Sequence, residues 1–111
     1  MFENTKAFSG FSVNDLAAAR KFYGETLGIE VEDNGPRLML KVAGGNGILV
    51  YPKDDHVPAT YTILNFPVPD IEKAVEELAG KGITFDHYEK DQEIAWFKDP
   101  AGNILSVVHE D

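Results

Sequence analysis

Phe8, Tyr51, Tyr61, Trp96 and Phe97 lie in short extended segments, and the chemistry they offer is non-covalent. Aromatic walls take up planar or cationic organic molecules. Gly10, Ser12, Asn65 and Ser106 lie in the same segments and supply the few polar contacts by which a pocket orients its guest. Covalent and metal chemistry have poorer candidates. The absence of cysteine removes disulfides, thiolate metal sites and thiol nucleophiles together. His56, His87 and His109 show no close ligand spacing. As a general base, His87 or His109 needs an oriented partner, which the sequence does not display. Glu30, Glu32, Glu89, Asp91 and Glu93 are carboxylates that would act as bases only if drawn into a pocket. Glu93, which enters a strand beside Trp96, is the best placed of them. There is no Gly-x-Ser-x-Gly elbow, and Gly44-Gly45-Asn46-Gly47 joins two strands rather than cradling a phosphate at a helix start.

The elements that position these residues are written twice. Phe11-x-Val13-x-Asp15-Leu16 returns as Phe66-x-Val68-x-Asp70-Ile71, and Leu27-Gly28-Ile29 as Lys81-Gly82-Ile83. Lys6 to Val13 alternates as a strand, and Asn14 or Asp15 caps a helix with the stripe Leu16, Ala19, Phe22 and Tyr23. Extended structure resumes at Ile29 to Glu32. Pro36 to Val42 and Gly47 to Tyr51 pair around the turn Ala43-Gly44-Gly45-Asn46. Pro52 to Ala59 connects the halves. The second half repeats the pattern: a strand at Tyr61 to Val68, a helix capped by Asp70, and strands at Ile83 to Tyr88, Glu93 to Phe97 and Asn103 to His109. Asp99-Pro100-Ala101-Gly102 is a type I turn by its residue types.

The fold class is therefore α+β: two tandem β-α-β-β-β modules, one helix each, whose mixed sheets curve into a cup. Residues 1–111 form a single domain, with module one about 1–55 and module two about 56–111. Phe11, Val13, Phe66 and Val68 face the helices. Phe8, Gly10, Ser12, Ile63, Asn65 and Pro67 face the other way, into the cup. Parity adds Tyr51 from the first half and either Trp96 or Phe97 from the second.

A formal charge of -9 opposes binding to nucleic acid, which needs clustered Lys and Arg, and attracts cations at long range. No stretch of 18 apolar residues and no leader pattern point to a membrane or to secretion, and a cytoplasmic home is expected.

Phe11-x-Val13-x-Asp15-Leu16, Phe22-Tyr23 with Leu27-Gly28, and Asp99-Pro100-x-Gly102-Asn103 resemble the vicinal oxygen chelate superfamily of glyoxalases, bleomycin-resistance proteins, fosfomycin-resistance enzymes and extradiol dioxygenases. Metal-using members hold a divalent ion in the cup on His, Gln or Glu. The resemblance carries those ligand positions onto Phe8, Leu49, Ile63 and Ser106. Phenyl and aliphatic groups offer an ion no donor, and one neutral hydroxyl does not hold it. A register error of one residue brings Ser9, Ile48, Leu64 and Val107 instead, which is no better.

The resulting expectation is a glyoxalase/bleomycin-resistance-like protein that has lost the usual metal site, uses no cofactor, and binds a small planar or cationic organic molecule. The expected cup residues are Phe8, Gly10, Ser12, Leu49, Tyr51, Ile63, Asn65, Trp96 and Ser106. The resemblance also implies a homodimer. The rival readings are a superfamily enzyme (lyase, isomerase or dioxygenase type) with a displaced metal or a carboxylate base, and a module whose aromatics fill the cup and serve only dimer contacts.

Overall fold

A computed structural model describes residues 1–43 and 45–110. The chain divides into two compact units, the first Met1–His56 and the second starting at Val57, one residue from the boundary expected for the modules. The expected turn at Ala43 to Asn46 includes Gly44, which lies outside the described residues.

The first unit runs β1 (Ser9–Val13), α1 (Leu16–Arg20), β2 (Glu30–Asn34), β3 (Arg37–Lys41) and β4 (Ile48–Pro52). Its sheet has the order β1-β4-β3-β2, with β1 parallel to β4 and the other pairs antiparallel. The second unit runs β5 (Thr62–Val68), α2 (Ile71–Gly80), β6 (His87–Glu89), β7 (Ile94–Lys98) and β8 (Ile104–His109), in the order β5-β8-β7-β6, with β5 parallel to β8. A parallel pair needs a crossover, and in each unit the helix provides it. The sequence repeat is thus a repeat of topology.

Both helices start as their caps require. Ala18 N donates to Asp15 Oδ1 and Lys73 N to Asp70 Oδ1, each at 3.1 Å, so an otherwise unpaired amide of the first turn is satisfied. Beyond Arg20 the first helix widens into a π-helical turn over Lys21–Thr26, closed by Leu27 N donating to Phe22 O at 2.9 Å. Tyr23 is buried there, with its ring 5.7 Å from Phe11 and 5.1 Å from Phe22. Gly28 and Gly82 end the two connections at φ 72° and 94°, a backbone region that side chains with a Cβ disfavour.

Val13, Ala19, Tyr23, Leu38, Leu40 and Val50 form the core of the first unit, and Ile71, Ala95, Phe97, Leu105 and Val107 that of the second. Each large side chain so buried contributes about 1.5–3 kcal/mol of transfer free energy. These residues occupy the helix side of their sheets, as the alternation predicts for Phe11 and Val13.

Two strands start well inside their expected bounds. Pairing of β1 starts at Ser9, because the Ala7 carbonyl accepts from Asn46 Nδ2 at 2.9 Å instead of from a strand. The stretch expected to be extended from Ile83 joins the sheet only at His87–Glu89. Ile83 N is turned back to Leu78 O at 3.1 Å to finish the helix, and ladder-like bonding begins with Asp86 N donating to Trp96 O at 2.9 Å.

Candidate functional site

The helix-free face of the first sheet carries Gly10 opposite Leu49, with Met39 on the other side of Leu49, and Ser12 opposite Tyr51. A Cβ at Gly10 would lie 3.3 Å from Leu49 O, so the strands approach closely there. Ser12 Oγ is 2.6 Å from His56 Nδ1, a hydrogen bond that ties the end of this unit to its first strand. Tyr51 is 36% exposed. Phe8 lies just outside β1 and is 57% exposed. Leu49 is half-buried.

The second sheet settles which of two neighbouring aromatics faces away from the helix. Trp96 stands opposite Ser106, and Phe97 opposite the buried core residue Leu105. Phe97 packs edge-on against Phe85 at 5.5 Å in the core, so Trp96 belongs to the helix-free face. Successive strand partners place His87, Trp96, Ser106 and Asn65 in one row across β6, β7, β8 and β5. Three contacts fix this row. The His87 ring stacks on Trp96 with centroids 5.6 Å apart and planes at 21°. Trp96 Nε1 donates to Thr62 Oγ1 at 3.1 Å. Ser106, fully buried, donates from Oγ to Asn65 Oδ1 at 2.5 Å. His87 Nε2 also meets Glu89 Oε1.

Thr62 reaches Trp96 because β5 carries an irregularity: Thr62 pairs with Ile104 and Leu64 with Leu105, so Ile63 is skipped. Ile63 is half-buried and has no partner position in the ladder, and Asn65 and Thr62 end up on the same face. Beside Trp96 lies a groove of about 350 Å³, lined also by Tyr61, Thr62, Asp86, His87 and Lys98. Tyr61 is 69% exposed over it.

A second cavity of about 320 Å³ opens at the start of α2, among Asp70, Glu72, Tyr88, Lys90, Glu93 and His109. Burial pushes the Tyr88 phenol up, and the carboxylates of Glu72, Asp70 and Glu93 add to the shift by opposing a phenolate. His109 Nδ1 lies 3.3 Å from Glu93 Oε2. Glu93 itself sits at φ 53°, a left-handed position rare for a residue with a side chain. His87 and His109 thus each have the carboxylate neighbour that sequence could not display.

Among the described residues no three His, Cys, Asp or Glu side chains are grouped to hold a metal ion. The positions to which family ligands correspond do not fit one either. Phe8, Leu49 and Ile63 have no donor atoms, and the Ser106 hydroxyl is engaged with Asn65.

The family model for the glyoxalase/bleomycin resistance protein/dioxygenase superfamily matches residues 8–107. The chain belongs to that superfamily. Solved structures share the fold of this glyoxalase-superfamily protein over nearly its whole length. TnmS3, an antibiotic binding protein from Streptomyces sp. CB03234, is 20% identical with a TM-score of 0.80, covering 100% of this chain and 99% of its own. Lactoylglutathione lyase from Agrobacterium tumefaciens is 19% identical with a TM-score of 0.73, covering 94% and 92%. A superfamily member from Sphaerobacter thermophilus is 25% identical with a TM-score of 0.76, covering 99% and 100%. No curated protein matches the sequence. A binding protein and a lyase on one fold leave activity to be argued from the site.

Of the expected site residues, the structure gathers Trp96, Asn65 and Ser106 into one row, and Gly10, Ser12, Leu49 and Tyr51 onto one face of the first sheet. Sequence reasoning named Glu89 only as a candidate base, and did not single out Thr62 or Asp86. Asp86 is placed by the pairing register of β6 and β7, for which the Lys90-Asp91-Gln92 turn was the available clue, and Thr62 by the register shift between β5 and β8.

Proposed function

We propose that this glyoxalase/bleomycin-resistance-like protein binds a small planar or cationic organic molecule without a metal, on the helix-free face that carries Trp96. The supporting observation is that Trp96 lies beside an open groove with its indole N–H satisfied and its ring braced by His87. A core tryptophan would have no such opening, and a pre-set aromatic wall binds at little ordering cost. The groove lies within the 300–1,000 Å³ range usual for small-molecule pockets. The antibiotic binding protein from Streptomyces shows that the same fold can serve a binder. Phe8 and Tyr51 offer further exposed rings on the first unit.

The test is a thermal-shift screen of flat aromatic cations and their anionic isosteres. Cations should bind better, since the protein carries -9, and the gain should fade with salt. Trp96→Ala should weaken binding roughly 5- to 30-fold, corresponding to about 1–2 kcal/mol of stacking. Hits that bind the variant as tightly as the wild type would refute this site.

Metal removal provides a separate check. A divalent ion present at 100 times its Kd would contribute about 2.7 kcal/mol. Losing it would lower the Tm of a domain this size by roughly 10–20 °C. We expect chelator to leave Tm unchanged, and a drop of that size would reject the metal-free reading.

A second reading is favoured by the Glu93–His109 pair beside its cavity: proton abstraction by a carboxylate or its imidazole partner. Base-catalysed deuterium uptake by a bound ketone, followed by NMR and lost in Glu93→Gln, would support it.

We assign the two units to one domain, the working form to a homodimer, and the cysteine-free chain to the cytoplasm. Open sheets leave edges and apolar faces for a second copy to cover. Sedimentation equilibrium well above micromolar concentration should give twice the chain mass. A monomer there would exclude the dimer.

A further inference from the structure

The row His87–Trp96–Ser106–Asn65 has an aromatic end and a polar end, and its hydrogen bonds fix which group the polar end presents. The Trp96 N–H is given to Thr62 Oγ1 at 3.1 Å. His87 Nε2 is taken by Glu89. The Ser106 hydroxyl hydrogen goes to Asn65 Oδ1 at 2.5 Å. That last bond also sets which end of the Asn65 amide is occupied: its oxygen accepts from the buried serine, and its two N–H bonds remain at an exposed position. Asn65 therefore presents a donor, held in direction by a serine that no solvent reaches. The backbones of Trp96 and Asn65 lie on β7 and β5 with β8 between them, two strand spacings or about 10 Å apart, and the indole reaches across to β5 at Thr62.

Resting on the binding reading above, we infer that the ligand is a flat aromatic molecule carrying a hydrogen-bond acceptor, a carbonyl oxygen, toward the far end from the ring that stacks on Trp96, and that Asn65 donates to this oxygen. Asn65 is the specificity residue and Ser106 a positioning residue that keeps the amide from turning over. An acceptor is selected, and a donor at that place would face the amide hydrogens. A ring without the carbonyl would still stack, but would leave the Asn65 donor to be desolvated without a partner.

The test compares two probes of the same shape, 4-acetylbiphenyl and 4-isopropenylbiphenyl, in which C=O is replaced by C=CH2. Affinities are measured by quenching of Trp96, the only tryptophan of the chain, and by calorimetry for the variant that lacks it. The wild type should bind the ketone roughly fivefold tighter than the alkene, the range of one net hydrogen bond. Asn65→Ala and Asn65→Asp should make the two probes equal, the second because a carboxylate has the size of the amide and no N–H. Ser106→Ala should reduce the ketone preference while leaving alkene affinity unchanged, which a general loss of folding would not do. Trp96→Ala should weaken both probes together. If the wild type binds both probes equally and Trp96→Ala weakens both, the acceptor inference is overturned and the binding site stands. Affinity indifferent to Trp96→Ala, or no binding of either probe to the wild type at millimolar concentration, overturns both.

Discussion

Phe97→Ala is expected to lower the unfolding free energy by about 3–5 kcal/mol, the usual cost of removing a fully buried phenyl ring and leaving its cavity. The Phe97 ring is fully buried and sits 5.5 Å from that of Phe85, edge to face, with Leu105 opposite in the sheet. Stabilities of single domains are about 5–15 kcal/mol, so this one change removes a large share of the total. Trp96→Ala, one residue away on the other face, should cost much less stability, because Trp96 is half-buried rather than enclosed in the core. Urea unfolding followed by far-UV circular dichroism measures both on one scale. Equal losses would mean that Trp96 is core, and the groove beside it would lose its functional meaning. A Phe97→Ala loss under about 1 kcal/mol would mean that the face assignment of β7 is inverted.

That assignment marks the limit of what the sequence discloses. Ile94-Ala95-Trp96-Phe97 is apolar throughout, and a period of two cannot choose a face when both parities are hydrophobic. The choice comes from strand pairing with β8, where Ser106 interrupts the core residues Leu105 and Val107. The repeated modules, the Asp70 cap and the Asp99 turn were legible because each depends on local chemistry at fixed spacing, whereas the first cap was narrowed only to Asn14 or Asp15 and falls to Asp15. The skip at Ile63 was not, since Thr62-Ile63-Leu64 contains neither glycine nor proline and reads as unbroken strand. Its consequence is functional: Thr62 arrives beside Trp96, and the position expected for a first-strand ligand loses its regular place. The π-helical turn was hidden for a related reason. Phe22 and Tyr23 fit the stripe of an ordinary helix, and only the hydrogen bond from Leu27 N back to Phe22 O distinguishes the wider form. The His87–Trp96 stack required the hairpin register, which the charged stretch Glu89 to Glu93 does not fix.

Asp99→Ala is expected to be nearly as damaging as Phe97→Ala, by a different route. Asp99 and Asn103 are buried, at 5% and 2% exposure, in the turn between β7 and β8. Asp99 Oδ1 accepts from Ala101 N and Asn103 N, and Oδ2 accepts from Asn103 Nδ2, all at 2.9 Å. The backbones close the same loop, with Gly102 N donating to Asp99 O and Asp99 N to Asn103 O at 3.0 Å each. Alanine leaves two buried donors of Asn103 and the part-buried amide of Ala101 without that acceptor, and each unsatisfied buried group costs about 1–3 kcal/mol. Rearrangement of the turn should recover part of this, and a net loss of about 2–5 kcal/mol is expected. Asp99→Asn should fall between wild type and alanine, because one amide oxygen still accepts while the NH2 confronts the Asn103 amide. The same turn sets the register that puts Trp96 opposite Ser106 and Phe97 opposite Leu105. Destabilising it should therefore reach the helix-free face proposed to bind ligand as well. In the alanine variant, Trp96 emission should shift to the red and probe affinity should fall at temperatures where circular dichroism still reports folded protein. A variant less than about 1 kcal/mol weaker than wild type would show that the hairpin register is held by strand packing alone, and that the buried carboxylate contributes little to positioning the site.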